Sequence, residues 1–207
     1  MRLRAGAQKI AALVLLVCLT GCTGGQDAQT AAQALREAYQ TLEAFAAAAE
    51  VTADYGTRAY QYTAQFSGDE SEGEMTVLTP ESIAGTGAAW ADGQLSLEYD
   101  GVSLETGELS PDGLSPADAM PAVLAACQGG AVVECGWQSL DGAEEECLYL
   151  LLENPNQAGG ESRVALWAEP EHWNLRRAEI FWEQRRVVAL VFSDFTWSGD
   201  APGEADS

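Results

Sequence analysis

The stretch RVALWAEPEHWNLRRAEIFWEQRRVVALVFSDFTW, residues 163–197, decides the fold because it holds three apolar runs separated by turn residues. The runs predict strands over 163–168, 178–184 and 186–197, paired antiparallel through short connections. The last run is apolar at both odd and even positions, which is typical of a strand covered on both faces. This end of the chain is therefore predicted to lie in the middle of an antiparallel sheet.

Two Asp-Gly pairs upstream predict further hairpins of the same sheet. Asp141-Gly142 separates apolar runs at 132–139 and 145–152, and Asp92-Gly93 separates runs at 82–90 and 95–99. The remaining predicted strands cover 60–66, 75–78 and 102–106, the first of them with strict alternation of apolar and polar residues. About ten strands are expected in total.

Two helices are predicted outside these strands. Over 28–51, apolar residues recur every three or four positions among Ala, Gln and Glu, which favours a helix with one buried face. The second helix is predicted from Ser115 as N-cap, with Pro116 in the first position, to Cys127. The first stripe comprises Leu35, Ala38, Tyr39, Leu42, Phe45, Ala46 and Ala49.

The N-terminus carries a targeting signal. Arg2, Arg4 and Lys9 precede an apolar run at 10–19, which is too short to span a bilayer and is typical of a secretory signal peptide. The following Leu19-Thr20-Gly21-Cys22 resembles the lipobox of bacterial lipoproteins, in which the cysteine is lipidated and becomes the first residue. We therefore predict a signal peptide over 1–21 and a lipidated Cys22 with a short tether at 22–27; the alternative is an ordinary signal peptide with a chance cysteine.

The charge balance restricts the function further. The chain has 32 acidic and 10 basic residues, a net charge of −22 and one histidine. Nucleic-acid binding is excluded because it needs clustered Lys and Arg. No sequence motif of a metal-dependent or nucleophilic enzyme occurs. We expect no catalysis, no cofactor and no metal, with the globular domain at 28–197 and an acidic, disordered tail at 198–207.

The order of elements resembles the LolA/LolB-like lipoprotein-carrier superfamily. The nearest local resemblance is 166–180, LWAEPEHWNLRRAEI, similar to the family's strand, acidic turn and return strand, with Glu169 in place of Asp and Arg176 in place of Pro. Residues 51–56 and 101–121 resemble small lipoproteins of this type in Gram-positive bacteria, one of which is needed for spore germination. The resemblance implies an α+β, mainly antiparallel, incomplete and curved β-barrel whose open side is plugged by helices.

Aromatic residues on the predicted strands are the candidate ligand-binding residues. If helices fill the half-barrel, these side chains are core; if not, they line an apolar cavity able to hold acyl chains. Seven are predicted as ligand-binding, and Phe195 and Trp197 lie beyond them on the last strand. The seven are Tyr60, Tyr62, Phe66, Trp90, Trp167, Trp182 and Phe192.

Cysteines and acidic clusters leave alternatives open. A hairpin centred on Asp141-Gly142 brings Cys135 and Cys147 nearly opposite each other, which predicts a cross-strand disulfide with Cys127 as the odd thiol; three buried free thiols are the alternative. The clusters Asp69, Glu70, Glu72, Glu74 and 144–146 are predicted as solvated hairpin tips rather than calcium sites, because neither has the spacing of a calcium loop.

Two functions follow from this sequence. The first is a lipoprotein anchored to the membrane through Cys22, on the outer face of the cytoplasmic membrane in a Gram-positive host, that binds lipid or lipoprotein acyl chains in the half-barrel. The second is an envelope scaffold that recruits or stabilises a partner protein, such as a cell-wall or germination hydrolase. A cavity favours the first function and a filled barrel favours the second.

Overall fold

The computed structural model describes residues 23–69, 71–108, 115–153 and 162–199, which form two helices and eleven strands. The helices are α1 (Thr23–Gln40) and α2 (Ala119–Gly129). The strands are β1 (Leu42–Asp54), β2 (Ala59–Gly68), β3 (Glu72–Thr79), β4 (Gly87–Ala91), β5 (Gln94–Tyr99), β6 (Val102–Glu108), β7 (Val132–Ser139), β8 (Glu146–Glu153), β9 (Ser162–Ala168), β10 (Leu175–Trp182) and β11 (Arg185–Gly199).

All eleven strands belong to one antiparallel sheet in the order β6-β5-β4-β3-β2-β1-β11-β10-β9-β8-β7. The long strands β1 and β11 pair in the middle, over Leu42–Gly199 at one end and Ala53–Val188 at the other. Strands β6 and β7 form the two edges, so the curved sheet does not close. The incomplete, mainly antiparallel barrel expected from the sequence is confirmed.

The prediction of one helix over 28–51 is wrong beyond Gln40. Thr41 ends α1, where its backbone N–H and its hydroxyl both donate to the Ala38 carbonyl at 3.2 and 2.9 Å. The chain then continues as β1, which alternates buried and exposed side chains between β2 and β11. Pairing on both sides satisfies the backbone N–H and C=O groups of successive residues in this alanine-rich segment, and that outweighs its helix propensity.

The second helix begins three residues later than predicted. Ser115 lies in a turn, where its Oγ accepts from the Ala117 N–H at 3.3 Å and its carbonyl accepts from the Asp118 N–H at 3.0 Å. The reason is Pro121: in a helix starting at Pro116 its ring would clash with the carbonyl four residues earlier. A start at Ala119 places that proline in the first turn, where it is tolerated.

The Asp-Gly hairpins are confirmed. Asp92 and Gly93 have φ of 50° and 73°, and Asp141 and Gly142 have 51° and 78°, the left-handed values that such turns require. The strand predicted over 82–90 is half wrong, because the chain turns at 80–85 and β4 begins only at Gly87. The predictions for 1–21 and for Cys22, and residues 200–207 of the predicted tail, lie outside the described residues. Residues 23–27, predicted as a tether, belong to α1, and residues 198 and 199, predicted as tail, end β11. No helix in the described part of the chain is long and apolar enough to cross a membrane.

Candidate functional site

Four of the seven predicted ligand-binding aromatics lie buried on the inner face of the sheet. Tyr62, Phe66, Trp90 and Phe192 expose 7%, 2%, 5% and 5% of their surface and belong to the hydrophobic core. Tyr62 and Phe66 alternate with polar residues along β2, as the sequence predicted. The structure therefore brings these four side chains to one apolar face, while their binding of a ligand stays a prediction.

The other three aromatics lie elsewhere. Tyr60 stands at the end of β2 and is 44% exposed. Trp182 is half-buried and packs against the core. Trp167 lies on the outer face, because its neighbours Leu166 and Ala168 are the fully buried residues of β9. The expectation that Trp167 lines the concavity is therefore wrong. Every residue from 164 to 168 is apolar, so the period of this run does not show which of its two sides faces the core.

The helices cover one half of the inner face. Helix α1 packs on α2, β7 and β8, and α2 packs on β8, β9 and β10. Large side chains that are fully buried fill this half, so it is a packed core rather than an empty cavity. They include Leu35, Tyr39, Met120, Leu148, Leu150, Leu152, Leu166, Leu175, Ile180 and Leu190.

The other half of the inner face carries an apolar row that leads from the core to the edge of the sheet. Register partners on five successive strands are Phe66, Met75, Ala88, Leu97 and Leu104. Exposure rises along this row: the first three residues are at most 5% exposed, Leu97 is half-buried and Leu104 is 63% exposed. An inner face that is apolar but uncovered at its end is a surface onto which an apolar ligand can extend. We call these five residues the apolar row.

The tip of the β5–β6 hairpin continues this exposed apolar surface. Tyr99 and Val102 are register partners on the same side as Leu97 and Leu104, and they are 58% and 69% exposed. Sequence reasoning placed them in strands but gave them no role. The signal was present in the alternation of 95, 97 and 99 with 102 and 104, which repeats the pattern of a buried face at the edge of the sheet.

Close packing fixes Trp90 within this half. A Cβ atom added to Gly73 would collide with the Trp90 ring and would lie 2.8 Å from the Ser67 carbonyl oxygen. Gly73 is the register partner of Trp90, so the indole lies across the backbone of β3 where only a hydrogen atom fits. The glycine thereby lets a large aromatic ring lie flat on the inner face.

The Tyr62 side chain adds a polar group to the inner face. Its hydroxyl is buried and has no hydrogen-bond partner among the described residues. Burial, and to a smaller extent the neighbouring Tyr55, raise the pKa of this hydroxyl well above its ordinary value. The hydroxyl is therefore neutral at physiological pH and available as a hydrogen-bond donor.

The predicted disulfide is not formed. Cys135 is the register partner of Leu150, and Cys147 is the partner of Gln138, so the two thiols are three positions out of register. At about 3.3 Å per residue this offset exceeds the reach of a disulfide. The reason is the connection, which extends from Leu140 to Glu145 instead of two residues. Cys127, Cys135 and Cys147 are all free thiols.

The described residues of the acidic clusters lie at or beside hairpin connections: Asp69, Glu144 and Glu145 are in connections, whereas Glu72, Glu74 and Glu146 belong to β3 and β8. Glu70 lies outside the described residues. Asp69 accepts from the backbone N–H groups of Ser71 and Glu72 at 2.7 and 2.9 Å, and these two bonds lower the pKa of its carboxyl. In the described ranges no three His, Cys, Asp or Glu side chains converge as metal ligands. His172 lies in the turn before β10, where its carbonyl accepts from the Trp197 indole at 2.8 Å.

The open eleven-stranded sheet, with helices over one half and an apolar inner face, defines a LolA-like half-barrel protein. The resemblance expected from the sequence is thereby confirmed for the fold. No family model matches the chain, and no curated protein sequence matches it.

Solved structures align with most of this chain at low identity. A LolA superfamily protein from Nitrosomonas europaea is 16% identical, with a TM-score of 0.44, over 84% of this chain and 94% of that one. LprF from Mycobacterium bovis is 14% identical, with a TM-score of 0.45, over 89% and 100%. A chain of the Clostridioides difficile CwlD amidase complex with the GerS lipoprotein is 11% identical, with a TM-score of 0.37, over 97% and 98%. Identities this low do not show that these proteins and this chain share a function.

Proposed function

We propose that the protein is a membrane-anchored bacterial lipoprotein that binds lipid or lipoprotein acyl chains on the inner face of its half-barrel. The observation that carries the proposal is the apolar row, which continues the core surface from Phe66 to the exposed Leu104. An acyl chain lying on this row would cover apolar surface that water otherwise contacts. Each CH₂ group buried in this way would stabilise the complex by about 0.8 kcal/mol.

The anchor in this proposal is a lipidated Cys22 at the end of the Leu-Thr-Gly-Cys motif. Two acyl chains, palmitate among them, supply stable membrane attachment. A net charge of −22 keeps the folded domain away from anionic headgroups. The domain would thus be tethered outside the cytoplasmic membrane without spreading on it, and would bind ligand in place.

Catalysis is no part of the proposed function. The single histidine, His172, lies in a surface turn and uses its backbone carbonyl in a structural hydrogen bond. The apolar row contains no titratable or nucleophilic side chain, and the buried Tyr62 hydroxyl lies among apolar neighbours, which suits binding better than acid–base chemistry.

The test is native mass spectrometry of the chain starting at Thr23, which keeps every described residue, produced in its own host without the anchor. We expect an adduct of lipid mass that is lost on organic extraction. A bare polypeptide mass from the wild-type chain would contradict lipid binding and would favour the scaffold function.

A matched pair of variants locates the binding surface. Leu104→Glu places a charge at the exposed end of the apolar row, and we expect it to lower adduct occupancy severalfold. Val133→Glu is the control, because Val133 is 45% exposed on the opposite edge strand β7. Both side chains are exposed, so both changes should alter stability by less than about 0.5 kcal/mol. Equal occupancy in the two variants would show that ligand does not lie on the apolar row.

The anchor is tested separately by Cys22→Ala in the full chain. We expect the wild type to incorporate labelled palmitate and to sediment with membranes, and the variant to do neither. A variant that still sediments with membranes would contradict lipidation at this cysteine, whatever the half-barrel binds.

A further inference from the structure

The outer face of β8–β11 carries large aromatic and arginine side chains. Register partners on four successive strands are Tyr149, Trp167, Arg177 and Val191. The same row continues on β1 and β2 as a glutamate and a threonine. The solvent face of an antiparallel sheet is ordinarily polar, as it is on β2, so the large aromatic side chains over β8–β11 depart from what the fold requires.

A second row runs beside the first. Phe181 on β10 is the register partner of Arg163 on one side and of Arg186 on the other. Phe181 and Arg163 are half-buried, and the Arg186 side chain is 49% exposed. We call the two rows together the arginine–aromatic face; it consists of Tyr149, Trp167, Arg177, Val191, Arg163, Phe181 and Arg186.

Contacts within the arginine–aromatic face hold its side chains in place. The Trp167 Nε1 donates to Gln138 Oε1 at 3.1 Å, and its ring centre lies 5.1 Å from that of Tyr149. The Arg177 guanidinium lies 5.7 Å from the centre of the Trp167 ring. Side chains fixed before binding lose little rotamer freedom when a partner covers them, which lowers the entropic cost of association.

The arginines of this face lie beside carboxylates. Glu179, which is 6% exposed, accepts from Arg177 Nε at 2.8 Å and from Arg186 Nη1 at 2.7 Å, and Asp141 Oδ1 lies 3.9 Å from Arg177 Nη1. Arg163 forms no ion pair with a described residue, and its Nε is buried without a hydrogen-bond partner. Glu153 is the register partner of Arg163 on β8 but forms no ion pair with it, so the Arg163 guanidinium is the group of this face that can still bind a carboxylate.

We propose that the arginine–aromatic face is a docking surface for another envelope protein, which contributes a segment with carboxylates beside apolar side chains. Trp, Tyr and Arg are the residues enriched at the centres of protein interfaces, and carboxylates are the groups that a free guanidinium binds best. A second copy of this chain fits less well, because two copies of a chain with this net charge repel each other. This face is separate from the apolar row and its ligand.

The experiment uses the full anchored chain in its host, with a photo-crosslinking amino acid at Val191, which is 45% exposed at the end of the first row. Gln65 is the control position, because it is exposed on the outer face of β2. We expect a discrete protein adduct from Val191 and none from Gln65. The crosslinked protein is identified by its peptides, then purified and titrated against the chain starting at Thr23.

The proposal also requires that the binding of the crosslinked protein depend on charge. We expect Arg163→Glu to weaken it about tenfold, Arg163→Gln to weaken it less, and added salt to weaken the wild type. Arg58→Glu, a reversal at an exposed loop arginine, should leave it unchanged, and thermal unfolding checks that each variant is folded. The proposal is overturned if no adduct forms, if Gln65 gives the same adduct, if the adduct is a second copy of this chain, or if Arg163→Glu binds like the wild type.

Discussion

Replacing Gly73 by alanine should destabilise the fold by about 2 kcal/mol, because the added methyl has no room. The new Cβ would collide with the Trp90 ring, 2.7 Å from its Cε2 atom, and would lie 2.8 Å from the Ser67 carbonyl oxygen. Carbon atoms in contact prefer about 3.5–4.0 Å, so the ring must move by about 1 Å. The Ser67 carbonyl oxygen belongs to the backbone and cannot rotate away, so a movement of the Trp90 ring alone does not remove the whole clash.

Gly87 on the adjacent strand is the matched control. A Cβ there would lie 3.6 Å from the Glu98 Cβ and 3.6 Å from the Met75 carbonyl oxygen, which are ordinary contacts. Gly87→Ala should therefore be neutral or stabilising by about 0.5 kcal/mol, because alanine restricts the unfolded chain. The two substitutions make the same chemical change one strand apart and differ only in the space available.

The assay is thermal unfolding of the chain starting at Thr23, monitored by tryptophan fluorescence. Gly73→Ala should shift the thermal midpoint down by about 4–8 °C, at about 2–4 °C for each kcal/mol in a chain of this size. Trp90→Leu in the same background should recover part of the loss in a double-mutant cycle. Equal stability of the two alanine variants would refute the close approach of Trp90 to β3.

Two further predictions concern the buried charge and a buried thiol. Glu179→Ala should lower the free energy of unfolding by about 2 kcal/mol, measured in urea, because Arg177 and Arg186 lose their acceptor. Arg186→Ala should lower it by under about 1 kcal/mol, because that side chain is half exposed. Equal losses in the two variants would contradict this reasoning. Burial raises the pKa of the Cys127 thiol from 9.0 to about 12, so iodoacetamide at pH 8 should modify Cys135 but not Cys127. The folded state holds that proton more tightly than the unfolded chain does. The contribution of Cys127 to the free energy of unfolding is therefore complete below pH 9 and declines between pH 9 and 12.

Local signals in the sequence predicted the turns well and the alanine-rich segment badly. Asp141-Gly142 adopts its turn because both residues tolerate positive φ, a property of the pair itself. The state of 42–51 depends on two partner strands, β2, which follows it directly, and β11, which is distant in sequence. Its alanines fit a period of 3.6 as well as a period of 2, and the run from Phe45 to Ala53 was the signal that could have decided for a strand.

The candidate site was predictable in its residues but not in its geometry. Alternation along β2 correctly placed Tyr62 and Phe66 on one face. It could not tell which side of β9 faces the core, so Trp167 was assigned to the wrong face. Nor could it set the register of β7 against β8, which depends on a six-residue connection and separates the two cysteines. Face and register are tertiary properties, fixed by the neighbouring strand rather than by the strand itself.

The two proposed binding surfaces lie apart on the same sheet. The apolar row emerges on the inner face at β6, one edge of the sheet, while the arginine–aromatic face lies on the outer face of β8–β11, toward the other edge. The apolar row occupies β2–β6, so β1 is the strand between the two surfaces, which lie on opposite faces of the sheet, and no side chain belongs to both. The half under the helices is filled by large buried side chains and therefore gives the outer face a rigid support. If both proposals hold, the domain binds an apolar ligand at one edge while a partner occupies the other, without either displacing the other.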